Sequence, residues 1–193
     1  MGLSLWVTCS VYRAMAIDTM YRGVSNFGRN ALDMAGKVTF SVKMMSLGLT
    51  DRELFVDAAQ AGGLYGRDDG FIYSLRQYLE IKGSRLKKGT ANSYFFTKVR
   101  YQGTRWSHLF LVCRKKEPTG WATAAEYDEC NFVLGYIKRK DYKRALKESG
   151  RSRRHEQVLS VTPGSKRGWV GKYIQWVPFK HLTVEWWNEH VLH

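Results

Sequence analysis

Apolar and polar positions along the chain mark a succession of short elements. Thr50-Asp51-Arg52-Glu53 has the S/T-x-x-E pattern of a helix start. Leu54, Phe55, Ala58 and Ala59 behind it fall on one side of a helix that would end at Gly62-Gly63. Gly70-Phe71-Ile72-Tyr73-Ser74 and Gln77-Tyr78-Leu79-Glu80-Ile81-Lys82 read as two strands joined by a short turn. Trp106 to Arg114 contains Leu109-Phe110-Leu111-Val112-Cys113, a run too apolar for a half-exposed strand, and so predicts a central one. Asn131 to Lys138 predicts another strand, whereas Tyr94 to Gln102 fits helix or strand. Ile137, Tyr142, Ala145 and Leu146 recur at near-helical spacing through a basic run ended by Gly150, and Thr183 is placed to cap a terminal helix through Val191. The order helix, strands, helix predicts an α/β fold with a mixed central sheet flanked by helices.

Composition narrows the class. A length of 193 residues without repeat or linker suits one domain spanning 1–193. Hydrophobic residues at 44% and charged residues at 25% exclude disordered and collagen-like chains. Cys9, Cys113 and Cys130 form no C-x-x-C pair, which argues against a disulfide framework or an all-thiol zinc site and favours a reducing compartment. The apolar start, Leu3 to Val11, lacks the basic leader of a secretory signal, and Trp6 stands where a myristoylation signal has Ser or Thr. No apolar run nears the ~18 residues of a spanning helix. The expectation is a soluble, cytoplasmic protein that is not secreted and has no membrane partner.

Charge then points to a partner. Lys plus Arg total 31 against 17 Asp plus Glu, a net +14 that attracts polyanions. Basic and acidic residues balance over 1–80, so the excess resides in 81–193. Its densest part runs through Lys138, Arg139, Lys140, Lys143, Arg144 and Lys147 to Arg151, Arg153 and Arg154, predicted as an amphipathic helix with its basic side exposed. A second basic stretch, with Lys166, Arg167 and Lys172, is broken by Pro163, Gly164, Gly168 and Gly171 and reads as a loop able to enter a groove. Trp121 and Trp169, beside Gly, are candidates to stack on bases.

The candidate chemistry lies in the balanced half, in Glu53, Asp68-Asp69 and Glu80-Ile81-Lys82. On a strand, Glu80 and Lys82 project together while Leu79 and Ile81 turn the other way. If the two predicted strands pair, Asp69 and Glu80 can meet on one face. Two carboxylates with little thiol or imidazole nearby suit magnesium or manganese rather than zinc. The D/E-x-K tripeptide also occurs as Asp141-Tyr142-Lys143, about as often in all as composition alone gives, but in a helix i and i+2 point apart. Each residue also has a plainer role. Glu53 completes a capping box, Asp68-Asp69-Gly70 is a turn signature, Glu80 and Lys82 form a surface pair, and His108 reads as a core or rim histidine.

Over about residues 50–114 the pattern resembles the PD-(D/E)XK nuclease superfamily, with its restriction-endonuclease-like fold. It has an acidic residue in a leading helix (Glu53), a glycine-rich link (Gly62, Gly63, Gly66), an Asp opening a strand (Asp69), the E-x-K strand (Glu80, Lys82) and a later hydrophobic core strand. Asp68 stands where the motif has Pro, which leaves Asp68 and Asp69 both open as the ligand. The resemblance implies a catalytic core over about 50–114 and a DNA-binding part over about 115–193. It implies Mg2+ (or Mn2+) held by Asp69, Glu80 and Glu53, with Asp69, Glu80 and Lys82 catalytic, in an enzyme hydrolysing double-stranded DNA. A homodimeric type II restriction endonuclease fits best, a junction-resolving or phage DNA-processing nuclease is the nearest rival, and a noncatalytic basic nucleic-acid-binding protein is the rival of another class.

Overall fold

In a computed structural model, the structure describes residues 28–50, 52–56, 68–85, 87–88, 93–114 and 132–193. Its centre is a six-stranded sheet of β1 (Leu54–Val56), β2 (Gly70–Ile72), β3 (Gln77–Arg85), β6 (Trp106–Arg114), β7 (Phe132–Lys138) and β9 (Gln175–Pro178), in that spatial order. Only β3 and β6 run parallel; the other neighbours are antiparallel. The chain between β3 and β6 enters a second sheet, where β5 (Ser93–Val99) lies between β4 (Lys87–Lys88) and β8 (Gln157–Val161).

The expected hairpin forms, with Gly70 opposite Leu79 and Ile72 opposite Gln77. The expected central strand is β6, which is buried from His108 to Cys113 and paired on both sides. The segment that fitted either helix or strand is β5. The basic run forms a helix, α2 (Arg139–Glu148), which buries Tyr142, Ala145 and Leu146 and ends at Gly150 with φ +66°. Thr183 caps α3 (Val184–Trp187), its Oγ1 accepting from Trp186 N at 3.2 Å, and a π-turn continues the helix over Asn188–Leu192.

One expectation is overturned. The S/T-x-x-E stretch leads into β1 and not a helix, with Leu54 opposite Ile72 and Phe55 opposite Phe71. A helix cap is worth about 1 kcal/mol. Pairing on β2 instead satisfies the backbone and buries Leu54 completely, so the tertiary term wins. The expected end of that helix at Gly62-Gly63, the link glycine Gly66 and the base-stacking candidate Trp121 lie outside the described residues.

The sheet has two differently covered faces. Leu54, Ile72, Leu79, Ile81, Phe110, Leu134 and Val177 pack on one face with Phe40 and Met44 of helix α1 (Gly28–Ser46) and with Phe179, Trp187 and Val191 of the C-terminal segment. On the other face Leu109, Leu111 and Ile137 pack against α2 and the second sheet, through Tyr142, Leu146, Phe95 and Leu159. Strands β1 to β3 contribute no residue to this second cluster. The central sheet is thus not divided at residue 115, because β7 and β9 close a core that β1 to β6 begin. Where α1 crosses β3, Gly36 lies against Gly83 so closely that a Cβ on Gly36 would overlap the Gly83 Cα. That contact lets α1 deliver the residue after Gly36 to the start of β2.

Candidate functional site

Asp69 sits immediately before β2, and extending the Gly70–Leu79 register by one residue sets it opposite Glu80. Its backbone N–H donates to Leu79 O at 2.9 Å, and its Oδ2 accepts from Ile81 N–H at 2.8 Å. Asp69 therefore holds the Glu80–Ile81 peptide. Strand alternation turns Leu79 and Ile81 into the core and puts Glu80 and Lys82 on the opposite face, where Lys82 Nζ lies 2.7 Å from Glu80 Oε1.

Lys37 pairs with Asp69 from the helix-covered side of the sheet, the side opposite Glu80 and Lys82, and sequence reasoning missed it. Its Nζ reaches from α1 to within 2.5 Å of Asp69 Oδ1, with its side chain 4% exposed. No local pattern marks it, since its partner lies 32 positions away. The only hint was a lysine in the turn before Phe40, within the apolar stretch of α1.

The two neighbouring aspartates have separate roles. Asp68 accepts from the Arg105 backbone N–H at 3.0 Å and from Arg105 Nε at 3.2 Å, so its carboxylate fastens the loop before β6. Asp69 alone addresses β3. Glu53 stands apart from both. It precedes the β1 end that lies opposite Ile72, its carbonyl accepts from Tyr73 N–H, and its Oε1 accepts from Ser74 Oγ. Strand rise puts Tyr73 about 13 Å along from Asp69, so the fold does not gather Glu53 with Asp69 and Glu80.

Among the described residues no group of three or more His, Cys, Asp or Glu gathers as a metal cluster. The donors at hand are the hard oxygens of Asp69 and Glu80. That is the chemistry of a magnesium-type ion held through one or two carboxylates, the rest of its shell being water and phosphate. Asp69 Oδ1 is paired with the buried Lys37 ammonium.

His108 is a core histidine, as its apolar strand suggested. Gln77 Oε1, 2.7 Å from Nε2, can only accept, so Nε2 carries the proton and Nδ1 accepts from Tyr136 OH at 2.8 Å. Burial, aided by the Lys138 charge, lowers its pKa to about 4. Burial likewise holds the Tyr136 phenol neutral well above its ordinary range.

The basic residues divide by surroundings. Lys140, Lys143, Arg144 and Lys147 are exposed along α2, and Arg153, Arg154, Lys166 and Arg167 in the segments after it. Arg139 is not on that exposed side. Its guanidinium donates to Tyr101 O, Trp106 O and Thr104 Oγ1 and lies over the Tyr101 ring at 4.0 Å, so it ties α2 to the loop before β6. It also borders a hollow of about 490 Å³ shared with Gly103, Ser152, Arg153 and Arg154. Lys138, at the end of β7, has its pKa lowered by burial and by Lys140. Lys172 is tied to Glu148 at 2.7 Å, and Arg151 lies 5.0 Å over the Trp169 ring. Trp169 also packs edge-on against Tyr142, so it serves the core and not an open stacking face. No described helix is long and apolar enough to cross a membrane.

Compared with protein-family models, with curated proteins and with solved structures, the chain finds no match in any of the three.

Proposed function

We propose that the chain is a metal-dependent nuclease of the restriction-endonuclease-like kind, hydrolysing phosphodiester bonds in DNA at Asp69, Glu80 and Lys82. One observation carries this reading: the Asp69 carboxylate accepts from the N–H of Ile81, the residue between Glu80 and Lys82, so two carboxylates and an ammonium serve one stretch of β3. Asp69 and Glu80 would hold the divalent ion, Mg2+ or Mn2+. When bound, that ion supplies Lewis acidity toward the phosphate and an acidified water. Lys82, next to Glu80, is suited to orient the attacking water and to offset charge on the phosphate oxygens. The carboxylates, bound to Lys37 and Lys82, are screened from phosphate repulsion. The exposed cations of α2 and of 153–167 supply salt-sensitive attraction to duplex DNA. Cutting both strands suits a homodimer working inside the cell.

A specific observation also favours the noncatalytic alternative: Lys37 and Lys82 already neutralise both carboxylates. Digestion of plasmid and of synthetic four-way junctions, with magnesium and with EDTA, separates the readings. Magnesium-dependent cutting supports the nuclease, and discrete plasmid bands favour restriction over junction resolution. Unchanged DNA in magnesium, with binding altered only as by ionic screening, leaves a basic DNA-binding protein.

A further inference from the structure

The face of β3 that carries Glu80 and Lys82 continues outward as a row of aromatic rings. Phe55 lies opposite Phe71, and Phe71 opposite Tyr78, so the three stand side by side across β1, β2 and β3. Their strand neighbours Leu54, Ile72 and Leu79 turn to the other face and are buried there. Phe71 packs edge-on against Tyr78 at 5.1 Å and against Tyr73, two residues on, at 5.9 Å. The buried apolar cluster beneath α2 and the second sheet includes no residue of β1 to β3, although β5 runs close to β3. Phe55 is therefore 48% exposed and Tyr73 45%, two of the three large apolar side chains so exposed among the described residues. The row is already met at its inner end by a planar cation, because the Arg105 guanidinium lies 4.0 Å over the Tyr78 ring.

We propose that this Phe55, Phe71, Tyr73 and Tyr78 surface is a stacking platform for unpaired bases of a nucleic-acid strand, seated beside the Asp69, Glu80 and Lys82 cluster. The proposal rests on the nuclease reading for the fate of the strand, though not for its binding. Tyr78 is two residues from Glu80 on the same strand face, so a strand whose bases lie on the rings has its backbone close to the carboxylates. Bases within a duplex cover each other's faces; unpaired bases do not, and stacking on aromatic side chains serves any base. The Arg105 guanidinium over Tyr78 puts a cation at the edge of this row, and the chain's overall +14 opposes a second copy while attracting a polyanion.

Binding of the full chain in EDTA tests the platform. A fluorescent single-stranded 20-mer of thymidine is compared with one of the same length whose central positions are abasic, so that phosphates are equal and bases are not. Wild type should hold the base-containing strand about tenfold more tightly, and Phe55→Ala with Tyr73→Ala should remove that preference while leaving abasic affinity unchanged. Equal wild-type affinities overturn the proposal without need of a variant. So does a double variant that weakens both strands alike, or one that turns a dimer into a monomer in sedimentation, which would assign the face to a second copy. Base preference in EDTA without cutting in magnesium leaves the platform standing and removes the nuclease, whereas cutting without base preference does the reverse.

Discussion

The Lys37 ammonium lies 2.5 Å from Asp69 Oδ1, joining α1 to the start of β2 with both side chains largely closed to water. Such a pair adds little over an apolar packing of the same shape, but losing one member leaves a buried charge unmatched. Lys37→Met should cost about 3 kcal/mol in urea unfolding. Adding Asp69→Asn should cost much less than the sum of the two single changes, because Asn can still accept from Ile81 N–H. Additive losses would mean that the two charges do not interact.

Cleavage should follow the residues that β2 and β3 bring together. Asp69→Asn, Glu80→Gln and Lys82→Met are each expected to lower magnesium-dependent cutting at least about 100-fold, with duplex binding in EDTA held within about twofold. Glu53→Gln should cut normally, since Glu53 is engaged with Ser74 at the far end of β1. Gel assays of the four variants check both halves, and full cutting by Asp69→Asn and Glu80→Gln would end the assignment.

Acid should act on stability through His108. Its pKa is about 4 when folded against 6.5 when exposed, so between these values the unfolded chain binds the extra proton. The stabilisation is present above pH 6.5 and is lost as pH falls toward 4, by about 3 kcal/mol at the lower end. Denaturant midpoints of wild type and His108→Gln, measured from pH 7 to pH 4, should converge by that amount. Parallel curves would show that the imidazole takes up its proton while folded.

Arg139 and its exposed helix neighbours should separate cleanly. Arg139→Ala removes three hydrogen bonds and a ring contact, and a loss of about 2–3 kcal/mol is expected in thermal unfolding. Lys143→Ala, Arg144→Ala and Lys147→Ala together should change stability little and reduce the salt dependence of DNA binding by about one unit of slope for each phosphate that is no longer neutralised. A salt dependence unmoved by the triple change would place the DNA elsewhere.

Much of the architecture is legible locally. The period-two run from Leu79 to Lys82, the apolar stretch of β6 and the helical spacing of Tyr142, Ala145 and Leu146 each carry one structure in their own pattern, and each forms. The Thr50 pattern misled because a cap worth about 1 kcal/mol competes with a strand partner that the local window does not contain. Helix α1 and strands β1, β4, β8 and β9 were missed; a three-residue strand such as β1 has too few positions to show a period.

By itself, then, the sequence determined which short segments would turn one side inward, where the positive charge collects, and that Glu80 and Lys82 share a strand face. Only tertiary structure decided that Asp69 rather than Asp68 meets β3, that Lys37 comes to Asp69, that Glu53 stays away, and that Arg139 is a tie and not a contact. The physical reason is range. Side-chain direction follows from neighbours two to four positions off, whereas the partners of Asp69, Lys37, Arg105 and Arg139 lie 12 to 38 positions away and are chosen by sheet register and helix crossing.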